Sequence, residues 1–217
     1  VACALSGYTH VSLDHVESAL GTSALRYGRD DHYDVVSAFI KSMRGSDPDA
    51  AVYWLARMLE AGEDARFIAR RMIIFASEDV GLADSSALQV AVAAAHALEH
   101  VGLPEAQLNL AQAAIHLATS PKSNRAALAI WQAREDIRNG AVGEVPPHLR
   151  DAHYQGAASL GHGAGYEYPH DHASGVVAQQ HLPDELRKHS WYRPGPHGDE
   201  PQIAARMTER TLEHGGS

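Results

Sequence analysis

The stretch RGSDPDAAVYWLARMLEAGEDARFIARRMIIFASEDVGLAD, residues 44–84, decides the fold, because it reads as two helices whose mutual direction is fixed by short turns. Asp47 is placed to accept from the orphan amides at a helix start, and Pro48 suits the first helical position, where its missing N–H leaves no bond unmade. Val52, Leu55, Ala56 and Leu59 recur at three- and four-residue spacing, which predicts one buried stripe, with Gly62 as the left-handed stop. Asp64 restarts the helix. Phe67, Ile68, Met72, Phe75 and Ala76 mark a second stripe. Ile73 and Ile74 widen it, so this helix is expected to bury two faces, to sit centrally and to end at Gly81.

Outward from this pair the same periodicity continues. VSLDHVESAL, residues 11–20, carries Leu13, Val16 and Leu20 with Ser12 as a cap. After a polar joint over 28–31, HYDVVSAFIKSM aligns Tyr33, Val36, Phe39, Ile40 and Met43. Asp84 caps a helix over about 85–101, with Leu88, Ala91, Val92, Ala95 and Leu98 as its buried stripe and Gly102 as its end. Leu103 and Pro104 open another that carries Leu108, Ala111, Ile115 and Ala118, and Pro121 ends it, because the residue before a proline avoids helical geometry. The next helix starts at about 123, holds Leu128, Trp131 and Ile137, and stops at Gly140. No stretch before 140 alternates with period two, so the fold class is all-α.

From 141 to 201 the composition changes: seven of the ten prolines lie there, with the run Gly161-His162-Gly163-Ala164-Gly165 and aromatics at Tyr154, Tyr166, Tyr168, Trp191 and Tyr192. Leu160, Val176, Val177, Leu182 and Leu186 supply apolar anchors, which predicts a long irregular strap over the helices rather than a disordered tail. Short helical turns are expected near Ser174 and Asp184, and a last helix over 203–212.

The 217 residues carry 18 Lys and Arg against 27 Asp and Glu, a formal charge of −9 that argues against a broad grip on phosphate backbones. Cys3 is the single cysteine, so no intrachain disulfide forms. Every apolar run is interrupted before the roughly 20 residues that cross a membrane, and no signal peptide is read. No Gly-Lys-Ser or Gly-Lys-Thr occurs, no GxGxxG follows a strand, and no GxSxG is present. Fifteen histidines include nine at 148 or later, and His162, His170, Asp171, His172, His181 and His189 tempt a metal reading. His170 and His172, two apart among glycines and a proline, diverge when extended, so capping and turn roles are preferred. Glu78 and Asp79 form an acidic pair that faces solvent or answers Arg70 and Arg71. Arg70, Arg71, Lys122 and Arg125 read as the basic pairs near helix ends or turns; a solvated face is preferred for them, with contact to DNA as the alternative.

Four blocks in order, HYDVVSAFIKSMRGSDPDAAVYWLARMLEAGED, ARRMIIFASEDVGLAD, LATSPKSN and GYEYPHDHASGVVAQQHLPDEL, resemble the C-terminal part of the replication-associated recombination protein A family, also called MgsA. The likeness spans roughly 25 to 207. Members of this family are AAA+ ATPases related to clamp-loader subunits and to the Werner-helicase-interacting protein. The resemblance implies that 1–25 are the remnant of an AAA+ lid, that 26–140 form a helical oligomerisation domain like a clamp-loader collar, and that 141–217 are the strap and terminal helix packed on it. It also implies a homotetramer, with the ATP- and magnesium-binding core missing from this chain. The full-length protein would be a cytoplasmic, nucleoid-associated, DNA-dependent ATPase at stalled forks, with single-stranded-DNA-binding protein as a partner. The chain departs from the family pattern in its histidines, notably His172 and His181, and in the linker 139–147.

The reading that results is an assembly domain with no catalytic residue, bound cofactor or metal of its own. Its subunit contact is expected on Leu88, Ala91, Val92, Ala95, Leu108 and Ile115. The alternatives are a metal-dependent enzyme using the late histidines, and a nucleic-acid-binding module in its own right.

Overall fold

The computed structural model describes residues 29–154 and 157–215. They hold seven α-helices and no strand. The helix expected over 11–20 and the lid remnant over 1–25 lie outside the described residues. The chain forms two compact units: the first takes residues 29–76 and Ser86–Ser120, the second takes Ser77–Ser85 and everything from Pro121 on.

The first unit contains α1 (Arg29–Arg44), α2 (Pro48–Glu60), α3 (Ala65–Phe75), α4 (Ser86–Val101) and α5 (Gln107–Thr119). α1 starts inside the expected polar joint, so that joint is helical from Arg29 on. At its other end the Asp47 N–H donates to Ser42 O at 3.0 Å and the Ser46 N–H to Met43 O at 3.2 Å, with Ser46 itself left-handed at φ 59°. Asp47 Oδ1 then accepts the Ala50 N–H at 2.9 Å, with Pro48 behind it, as the sequence predicts. α2 ends the same way: Gly62 sits at φ 78° and the Glu63 N–H reaches back to Met58 O at 3.0 Å.

α2 packs on α1 and α5, α3 on α4, and α4 on α5. Phe39, Met43, Leu55, Met58, Ile68, Met72, Phe75, Leu110 and Leu117 fill the interior. The buried stripes are rotated from those expected. α2 buries Ala51, Leu55 and Met58, leaving Ala56 exposed and Val52 and Leu59 half-buried. α4 buries Ala87, Ala91, Ala94 and Leu98 and turns Leu88 outward; α5 buries Leu110, Ala113, Ala114, Leu117 and Ala118 and turns Leu108 and Ile115 outward. In α4 and α5, which are apolar almost all round, the large residues suggest one stripe, but alanines let a neighbouring backbone approach and take much of the buried face. α3 buries one wide stripe, Ala65, Ile68, Ala69, Met72 and Phe75; Ile74 lies exposed, so the expected two-faced burial does not occur.

The second unit begins where α3 ends. Ala76–Val80 continue as a π-helical turn and Gly81–Ala83 as a 3-10 turn, so the α-form stops at Phe75, before the expected Gly81, and the helical run passes on to Ala83. The unit then holds α6 (Arg125–Arg138), the irregular strap and α7 (Glu200–Gly215). In the strap, 3-10 turns at Pro147–Leu149, Pro169–Asp171 and Asp184–Leu186 alternate with extended chain. The turn expected near Asp184 is present; near Ser174 there is a single turn closed by Gly175 N–H to His172 O at 2.9 Å. Leu186 is buried, Val176, Val177 and Leu182 half-buried, and Leu160 exposed. α7 starts before the expected 203, since Pro201 is accepted in a first helical turn.

Two substitutions check this packing by urea denaturation. Asp47→Ala loses the cap and costs about 1 kcal/mol. A Trp buried in a core costs about 3–5 kcal/mol on truncation to Ala. Trp54 is only half-buried, edge-on to Tyr53 with the Arg57 guanidinium 5.3 Å over its ring. Trp54→Ala therefore costs about half of that, roughly 2 kcal/mol; a loss equal to that of Phe39→Ala would contradict the placement.

Candidate functional site

α6 carries the most unusual surface of the second unit. Its start is fixed by the main chain: the Ser123 N–H donates to Asp79 O at 2.8 Å, and Ser123 Oγ accepts the Arg125 N–H at 3.3 Å. Its end is fixed by Gly140 at φ 95°, where the Ala141 N–H returns to Asp136 O at 2.9 Å. Between these ends no residue of the helix is buried. Leu128, Ile130, Trp131 and Ile137 are all exposed, Trp131 by 49%, and Val142 and Val145 extend the apolar surface beyond the helix. At about 100° per residue, Leu128 and Trp131 share one side and Ile130 and Ile137 another. The strap is tied to α6 by a polar bond: Trp191 Nε1–H donates to Asp136 Oδ2 at 2.7 Å, and Gln132 donates to the other oxygen at 2.8 Å. These two hydrogen bonds, with the charge of His189, hold the Asp136 carboxyl below the usual carboxylate range.

In the first unit the residues expected at a subunit contact are divided. Leu88, Leu108 and Ile115 are exposed, Leu108 by 70%; Val92 and Ala95 are half-buried; Ala91 is fully buried in the unit's own core. Val101 and Leu103, which the sequence reading did not single out, join the exposed set.

The charged candidates also separate by unit. Arg70 and Arg71 lie on α3, with the Arg70 guanidinium 5.7 Å over the Phe67 ring. Arg71 enters no ion pair among the described residues, so the expected answer to Glu78 is not formed, and its Nε is shut off from solvent without a hydrogen-bond partner. An unmade bond of this kind costs about 1–3 kcal/mol. Lys122 and Arg125 lie in the second unit. Burial lowers the Lys122 pKa and the Asp79 carboxylate opposes that shift, so Lys122 serves the junction between the π turn and the start of α6.

The late histidines are spread along the strap. His148 Nε2 lies 2.8 Å from Gln180 O, His162 Nδ1 is 2.7 Å from Tyr154 Oη, the His170 ring meets Tyr168, and His172 stands 3.8 Å from Glu167. Among the described residues no three His, Cys, Asp or Glu side chains converge to hold a metal ion. Sequence reasoning missed Glu200, which is fully buried at the first position of α7 and accepts the Gly195 N–H at 2.6 Å and the Tyr192 hydroxyl at 3.4 Å. The signal was legible in principle, since an acidic residue followed by Pro201 suits a helix N-terminus.

Residues 45–211 match the family described as MgsA AAA+ ATPase C terminal. The chain is 59% identical over 199 residues to an uncharacterised AAA-domain-containing protein of Mycobacterium tuberculosis, covering 91% of this chain and 44% of that protein. It is 49% identical over 190 residues to the replication-associated recombination protein A of Bacillus subtilis, covering 87% and 45%. It is 41% identical over 179 residues to the ATPase WRNIP1 of Dictyostelium discoideum, covering 81% and 20%. The chain thus spans less than half the length of these relatives.

The junction at Lys122 is testable by pH. Its folded-state pKa lies below the model-compound 10.5, so the unfolded chain binds the extra proton and stability rises with pH from the lowered value up to 10.5. Asp79→Asn removes the opposing charge and lowers the Lys122 midpoint further, read from the lysine side-chain carbon shifts in an NMR titration. An unmoved midpoint would separate Asp79 from Lys122.

Proposed function

On the premise that the chain belongs to the MgsA AAA+ ATPase C-terminal family, we propose that it is the assembly domain of a longer AAA+ ATPase, joining copies of the motor into a closed homotetrameric collar. The observation that carries this reading is α6: a helix with four large apolar side chains and no residue buried in its own chain. Apolar surface of that kind, concentrated on one element, marks an interaction site.

A second apolar surface, with Leu88, Leu108 and Ile115 exposed, belongs to the first unit. Two distinct patches suit a tetramer of two-fold axes, in which each patch meets its own copy; a four-membered ring uses one patch against a different one. Val92 and Ala95 belong to the rim of such a contact. Ala91 lies beneath it, buried in the core of the unit.

In this reading nucleotide hydrolysis, with its ATP and magnesium, belongs to the part of the longer relatives that this chain does not span. In keeping with the names of the relatives, the reading takes the longer protein to act in replication-associated recombination, with DNA at stalled forks as its substrate, single-stranded-DNA-binding protein as its partner and the nucleoid in the cytoplasm as its location. The net charge of −9 supports a collar that holds subunits without gripping phosphate itself. No helix among the described residues is long and apolar enough to cross a membrane.

Light scattering coupled to gel filtration tests the assembly. The chain elutes at four times its 23.4 kDa mass. Leu128→Glu with Trp131→Glu gives dimers, and so does Leu108→Glu with Ile115→Glu, because each pair breaks one two-fold contact. Monomers from either pair alone would indicate a ring, and a concentration-independent 23.4 kDa monomer of the unaltered chain would end the proposal.

A further inference from the structure

Apart from the apolar surfaces, the first unit holds a groove of about 430 Å³ between α1 and α3 whose chemistry differs from that of the rest of the chain. α1 lines it at three- and four-residue spacing, with Tyr33, Val36, Ser37, Ile40, Lys41 and Arg44; α3 adds Phe67 and Arg71 one turn apart. The stripe on α1 is about 16 Å long, the reach of about five extended residues.

Three cations border this groove in a chain whose net charge is −9. Lys41 and Arg44 lie in the last turn of α1, where they have a local use against its terminal carbonyls. Arg71 has no such use. It stands in the middle of α3, enters no ion pair among the described residues, and keeps a buried Nε–H that donates to nothing. Lys41 likewise enters no ion pair among the described residues. The floor beside these cations is apolar: Val36 is buried, and Ile40 and Phe67 are half-buried. Tyr33 stands 64% exposed at one end, where its ring meets His32, itself packed on Phe67 and paired with Glu63 at 2.6 Å. Glu63, held by His32, and the exposed Asp34 on α1 bring acidic groups to that end.

We propose that this groove binds a short acidic peptide segment of a partner protein, its carboxylates against Lys41, Arg44 and Arg71 and one aliphatic or aromatic side chain on Val36, Ile40 and Phe67. Charge complementarity selects the occupant. A guanidinium fork without a partner suits a carboxylate, and an apolar floor between cations suits a side chain that a phosphate backbone does not have. Nucleic acid is the poorer fit, since three cations are few against a net charge of −9, which repels a continuous strand of phosphates. None of the residues that line the groove is among those invoked for assembly, so the two readings stand or fall separately.

Fluorescence anisotropy with the 217-residue chain tests it. The probe is a fluorescein-labelled octapeptide in which Asp alternates with Leu and Phe, and the control has every Asp replaced by Asn. The acidic peptide binds and the Asn peptide does not. Lys41→Glu and Arg71→Gln each weaken binding about tenfold or more, and raising the salt from 50 to 300 mM weakens it several-fold, about as expected for screened charges. Lys41 is exposed, so its variant keeps the fold even if Arg71→Gln does not. Equal binding of the Asn peptide, or no loss in Lys41→Glu, overturns the proposal. So does a single-stranded oligonucleotide that binds and is lost with the same variants, which would make the groove a nucleic-acid site. A fall in the light-scattering mass of Lys41→Glu also overturns it, because the groove would then belong to a contact between copies.

Discussion

The second unit depends on a short detour of main chain, Ser77–Ser85, whose π and 3-10 turns leave peptide groups without the partners that an α-helix supplies. Two distant stretches provide them. The Ser123 N–H donates to Asp79 O at 2.8 Å, and the Asp199 N–H to Ala83 O at 2.9 Å. The approach is too close for side chains: a Cβ on Gly81, which stands at φ 54°, would lie 2.7 Å from Ser123 O, and one on Gly198 would collide with Ala83 O. Both helices of the unit take their starting points from these bonds, α6 just after Ser123 and α7 just after Asp199. Buried peptide groups seldom go unpaired, and the bond from Ser123 supplies one of the π turn's carbonyls with a partner from outside the helix.

In the first unit the equivalent constraint is the size of the side chain. α4 buries Ala87, Ala91 and Ala94 with Leu98, α5 buries Ala113, Ala114 and Ala118 with Leu110 and Leu117, and Leu88, Leu108 and Ile115 stay outside. This arrangement links core to surface. Alanines take a share of the buried positions, and Leu88, Leu108 and Ile115 are left exposed, the kind of apolar surface that commonly marks an interaction site.

The same fact explains what could be read in advance. Turn chemistry was legible to the residue, as Asp47, Pro48, Gly62, Gly102 and Pro121 show, because caps and stops depend on local geometry alone. Helix count and class were legible from periodicity. The faces were not: in α2, α4 and α5 the apolar residues are too numerous to define one stripe, and only the neighbours decide between Leu88 and Ala87 or between Leu108 and Leu110. The π turn had no signal in ASEDV, since one extra residue per turn leaves no mark in composition. For the site, Leu108 and Ile115 read in the sequence both as a helix stripe and as a subunit contact, and the structure leaves them exposed; Leu128, Trp131 and Ile137 read only as the apolar residues of a helix, and they too are exposed. Nothing in the order of residues shows whether a covering element belongs to the same molecule. The buried carboxylate of Glu200 was missed for a related reason: its partners, the Gly195 N–H and the Tyr192 hydroxyl, sit in a segment that reads as irregular.

The sulfur atoms of the interior have a further consequence. Of the four methionines, Met43, Met58 and Met72 are closed off in the first unit, whereas Met207 on α7 is 42% exposed. A thioether reacts with peroxide when the reagent can reach it, and the sulfoxide formed is too polar to return to an apolar site. Dilute peroxide should thus mark Met207 first, while the other three stay reduced for as long as the helices around them remain shut. The chain carries its own chemical clock: each added oxygen atom at Met43, Met58 or Met72 records a moment when the unit came open.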